Sequence, residues 1–92
     1  MQGLGETLVE LARALRETPP ELAQVPRLRA IVKLLHRLPP GRERDGLLAV
    51  AYLRLYQLEA REEDYLRGYS YGRTARLERV RLLGERLGEG EG

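Results

Sequence analysis

Residues 46–53 read Gly-Leu-Leu-Ala-Val-Ala-Tyr-Leu, a run without a single charged side chain. Helical periodicity dominates the chain, and no segment alternates over the length a half-buried strand needs. At the ~20 residues a bilayer helix needs, the run is also far too short to span a membrane. A helical stretch with no polar face must be surrounded by other helices, so this one belongs at the centre of the fold. Arg42, Glu43, Arg44 and Asp45 open the segment. Beyond Arg54 it turns amphipathic, with Leu55, Leu58, Tyr65 and Tyr69 on one stripe and Arg54, Gln57 and Arg61 on another side.

The segments before it supply partners. Leu4, Leu8, Leu11 and Leu15 recur at spacings of four, three and four, with Val9 and Ala12 widening that face. The segment stops at Thr18-Pro19-Pro20, since a residue before proline is pushed out of the helical region. Thr18-Pro-Pro-Glu21 also has the form of a capping box with Pro19 at the first helical position. The next segment is short or kinked near Pro26, then presents Leu28, Ile31, Val32, Leu35 and Leu38 before Pro39-Pro40-Gly41 ends it. Gly68-Tyr-Ser-Tyr-Gly72 predicts a helix break between residues 67 and 73. Glycines inside a helix cost about 1 kcal/mol each relative to alanine. A last helix is expected over roughly 73–87, with a narrow stripe of Leu77, Val80, Leu83, Gly84 and Leu87. The fold class is all-α, a small bundle of three or four helices with the third central. Residues 1–87 form one helical domain and 88–92 a flexible Gly/Glu tail.

Composition narrows function by exclusion. The 92 residues carry 16 Lys+Arg against 14 Asp+Glu, one His and no Cys, giving a net charge of only +2. Without cysteine there are no disulfides, thiolate zinc sites or thiol nucleophiles, and one histidine cannot supply paired imidazoles. No metal or cofactor is therefore expected. Arginine makes up all but one of the basic residues and Asn is absent, a thermophile-like bias. No secretion signal or membrane span is legible, so a cytoplasmic location is the expectation.

Two residue constellations stand out. Tyr65, Arg67, Tyr69, Tyr71, Arg73 and Arg76 surround the glycine pair, and Tyr, Ser, Gly and Arg together make a contact surface that loses little entropy on binding. The leading expectation is a small non-catalytic interaction protein that forms a homodimer and contacts a protein partner through this region. The alternative is a nucleic-acid-binding accessory protein. It uses Arg29, Lys33 and Arg37, a basic stripe on the second helix, together with Arg73, Arg76 and Arg79. The two basic blocks could equally neutralise acidic ones such as Glu62-Glu63-Asp64. Arg29 and His36, on nearly the same helix face, are superficially similar to the motif of HEPN-type ribonucleases. That likeness covers two residues, and Ala30 stands where the family usually places a polar one. It implies a metal-independent RNA-cleaving enzyme, which ranks behind both binding readings.

Overall fold

The computed structural model describes residues 4–75, and all their regular structure is helical. Helix α1 spans Leu4–Glu17, α2 Val25–His36 and α3 Arg42–Glu59. A fourth helix, α4, covers 62–75. The last-helix stripe 77–87, Arg76, Arg79 and the tail 88–92 lie outside the described residues.

The central position of α3 follows from its burial. Leu48, Ala49, Ala51, Tyr52 and Leu55 are all in the core, with Leu48, Ala51 and Leu55 wholly shielded from water. Val50 is the exception at 43 % exposed, because it sits beside α1 where cover runs out. From α1 come Leu11 and Leu15, and from α2 Leu28, Ile31, Val32 and Leu35. These are the residues that the helical spacing places on the two inward faces. Arg54 donates to the Leu15 carbonyl at 2.6 Å and so caps the end of α1 from across the bundle.

Two local expectations change. Thr18 does not cap forward into the second helix. Its hydroxyl turns back and donates to the Ala14 carbonyl at 2.6 Å, closing α1 instead. Pro26 does not kink α2 but lies in its first turn, after a 3₁₀ turn at Leu22–Gln24, where its missing N–H breaks no helical bond.

A larger correction concerns the glycines. The break expected between residues 67 and 73 is not there, and α4 runs through Gly68 and Gly72 uninterrupted. The chain reverses earlier, where Ala60 takes a left-handed conformation (φ 56°, ψ 35°) and its N–H donates to the Tyr56 carbonyl at 2.7 Å. Such a position is usually glycine. Here glycine serves another purpose. A Cβ on Gly68 would stand 2.8 Å from Leu53 Cγ and 3.3 Å from the Leu53 backbone nitrogen. The absent side chain is what lets α4 approach α3. Further along, Ala75 Cβ lies 3.8 Å from where a Gly46 Cβ would sit, so the two helices run antiparallel at close range.

Gly68→Ala weighs a helix-propensity gain of about 1 kcal/mol against an overpacking cost of about 1–3 kcal/mol. We expect the steric cost to win, because one of the contacts is backbone. Thermal melting should fall by about 4–8 °C, the shift that ~1 kcal/mol produces in a domain of this size. An unchanged or raised melting temperature would show that Leu53 moves aside freely.

Candidate functional site: two faces of the fourth helix

Because α4 is continuous, the residues expected at one corner are divided between two faces. Tyr65, Tyr69 and Arg73 lie one turn apart along its outer side and are exposed. The Tyr65 ring meets Tyr56 of α3 at 5.2 Å between centroids and stacks near Tyr69 at 6.5 Å. Leu66, 56 % exposed, broadens this row, and Glu62 stands at its head. The result is a ridge of three tyrosines and a leucine with an arginine at its end.

Tyr71 and Arg67 lie on a different side, toward α2. The Tyr71 ring stacks parallel to Tyr52 at 5.9 Å and meets the His36 ring edge-on at 5.7 Å. Arg67 reaches over the Tyr52 ring and Arg44 over Tyr71, each 5.9 Å from the centroid. His36 Nε2 is 2.8 Å from the Tyr52 hydroxyl. Burial, together with the nearby charges of Arg44 and Arg67, holds the His36 imidazolium below its ordinary pKa of 6.5, against a smaller opposing pull from Asp45. Burial in turn pushes the Tyr52 phenol up. This His–Tyr–Tyr cluster is a feature that sequence reasoning missed. Tyr52 and Tyr71 belong to separate segments, and only the reversal at Ala60 brings them face to face.

The basic stripe of α2 is divided too. Arg29 is not free for a partner. Its guanidinium donates to both oxygens of Asp64, at 3.1 and 2.9 Å, and to Glu59 at 2.7 Å. Those bonds raise its pKa further above the ordinary range. Asp64, at the start of α4, is fully buried. Lys33 and Arg37 remain exposed, and neither they nor Arg67 pair with a described carboxylate. Arg29 and His36 lie two turns apart on one side of α2, and the arginine's guanidinium is bound by the Glu59 and Asp64 carboxylates. Of the six nucleic-acid candidates, Lys33 and Arg37 lie together on α2, Arg73 lies on the outer side of α4, and Arg76 and Arg79 are not described.

Two shallow apolar depressions flank α1. The larger, about 440 Å³, is lined by Leu8, Val9, Ala12, Leu47 and Val50 with Glu43 at its rim. Neither it nor its neighbour beside Pro39 and Pro40 contains the histidine. Among the described residues no three His, Asp or Glu side chains converge as a metal site, and no helix is long and apolar enough to cross a membrane. Compared with known families, with curated proteins and with solved structures, the chain finds no match in any of the three.

The Arg29–Asp64 clamp generates an asymmetric expectation. Asp64 has a side-chain exposure of 1 % against 33 % for Arg29. Arg29→Met strands a buried carboxylate and should cost about 3–5 kcal/mol, whereas Asp64→Asn leaves an arginine that water and Glu59 still serve and should cost less, about 2 kcal/mol. Urea unfolding of both variants, with Arg29→Met/Asp64→Leu as the double, checks this. The double variant should recover much of the loss, and a double as unstable as Arg29→Met would contradict the assignment.

Proposed function

We propose that this protein is a non-catalytic helical binding module whose partner is another protein, engaged through the ridge Tyr56, Tyr65, Leu66 and Tyr69 with Arg73 at its end. The observation that carries the reading is the exposure of these side chains as one contiguous row, with Tyr65 45 % and Tyr69 54 % exposed. Tyrosine contributes large amphipathic contact area with few rotamers to immobilise, and rings already stacked on one another lose still less on binding. Aromatic residues and arginine are the types that dominate binding energy at protein interfaces. The partner this surface suits is a shallow apolar cleft with a carboxylate on its rim for Arg73. Tyr71 and Arg67 are not part of this face.

Tyr65→Ala/Tyr69→Ala tests it. Removing exposed rings should leave the melting temperature within a few degrees of wild type, since surface substitutions away from packed features stay within about 0.5 kcal/mol. The same variant should lose a nuclease-resistant protein that wild type captures from native lysate. Equal capture by the two, or capture abolished by nuclease, would remove the ridge as the binding surface.

Self-association belongs to the same reading. Val9, 58 % exposed, and Val50 edge the apolar groove along α1 and α3, a surface that a second copy of the chain can cover. Twofold dimers are the commonest closed assembly. Sedimentation equilibrium at tens of micromolar should give twice the chain mass of 10.5 kDa, and Val50→Lys should return it to one. A wild-type monomer would end the dimer proposal and leave the ridge standing.

A further inference from the structure

A second surface is set by how α2 lies against α4. Arg29 meets Asp64 and His36 meets Tyr71, pairs with the same separation in sequence, so the two helices run parallel in constant register. That register brings Lys33 level with Arg67, each on the solvent side of its helix, between the Arg29 clamp and the His36 ring. Arg37 follows one turn above Lys33. The two ends of this seam differ in charge balance. At the lower end two carboxylates satisfy one arginine. At the upper end Lys33, Arg37 and Arg67 are exposed and paired with no described carboxylate, while Asp45 is held by Arg44 at 2.8 Å and Glu63, one turn before Arg67, lies 4.0 Å from Arg61. Near the end of α2 the Leu34 and Leu35 carbonyls accept from the Arg37 and Leu38 amides, and Arg44 donates to the Leu38 carbonyl beyond it.

From this placement we infer that the upper α2–α4 seam is a binding site for a phosphate group, held by Lys33, Arg37 and Arg67 with protonated His36 as a further donor. Phosphate fits because a tetrahedral anion takes several donors at once, and the planar guanidinium of Arg67 can meet two of its oxygens. The Tyr52 hydroxyl, 2.8 Å from Nε2, orients the imidazole, and once the ring is protonated both of its nitrogens are donors. The site lies on the α2 side of α4, apart from the tyrosine ridge, and does not depend on it.

Binding and protonation are linked there. The groups facing His36 are Arg44, Asp45 and Tyr52 of α3 and Arg67 and Tyr71 of α4, with Lys33 one turn before it and Arg37 next to it on its own helix. The arginines disfavour the imidazolium. A bound phosphate carries the opposite sign, so it should raise the His36 pKa and draw up a proton near neutral pH.

The chain has a single histidine, so one imidazole resonance reports the site in the intact protein. The midpoint of its NMR pH titration should rise by about one unit in millimolar inorganic phosphate at ionic strength fixed with chloride. A single-stranded oligothymidylate without a terminal phosphate forms the second arm. A response to inorganic phosphate supports a phosphate monoester as the ligand, and a response to the oligonucleotide alone supports a strand backbone. Lys33→Gln/Arg67→Gln should abolish either response and, by removing positive charge, raise the midpoint of the unliganded protein. Tyr65→Ala/Tyr69→Ala should leave the response unchanged, so a failure of the ridge reading does not touch this one. A midpoint moved by neither probe, or a shift that persists in the Lys33/Arg67 variant, overturns the proposal.

Discussion

Asp64 is a carboxylate with no access to water, and the seating of α4 depends on its charge being met. Arg29 supplies two hydrogen bonds from α2, and Glu59 at the end of α3 holds the same guanidinium. Three helices are thereby pinned at one point. A buried carboxylate without its arginine is so unfavourable that α4 has little choice of rotation or register once Asp64 is inside. Rotation then determines which face of α4 turns inward, and register determines that Tyr71 arrives beside His36 and Tyr52.

The close approach at Gly68 is the steric counterpart of that electrostatic pin. Helix axes held apart by side chains at the contact would leave Tyr71 too far from Tyr52 to stack. With no side chain at 68, Leu53 packs directly onto the α4 backbone. The same geometry sends Tyr65, Tyr69 and Arg73 to the outside. Two chemically distinct faces thus come from one helix. One is aromatic and exposed. The other lies toward α2 and carries Arg67 and Tyr71 beside an imidazole whose pKa is lowered by burial and by the charges of Arg44 and Arg67.

Much of the first half was readable because its signals are local. Leucines at helical spacing in 4–17 and 25–38, and proline pairs between the segments, place the helices and their inward faces directly. Arg29 shows where such reading ends. On a helical wheel it belongs to one basic stripe with Lys33 and Arg37, yet it is a structural residue while they remain at the surface. The acid that claims it is 35 residues away in sequence. Periodicity cannot report an ion pair between segments whose relative rotation is unknown.

The glycines divide the two kinds of knowledge most clearly. From the sequence alone come the all-helical class, the inward faces of α1 and α2, and the central place of the run at 46–53, because burial of apolar area depends on spacing that the chain carries with it. What tertiary structure decided is where the chain turns and what its glycines are for. Ala60 adopts the left-handed conformation that glycine adopts without strain, and the nearby pairing of Asp64 with Arg29 is made only if the chain reverses there. Gly68 sits in an ordinary helical conformation because Leu53 needs its space. A residue's backbone preference is local, but the contact that overrides it is made by a partner that only the folded chain brings near.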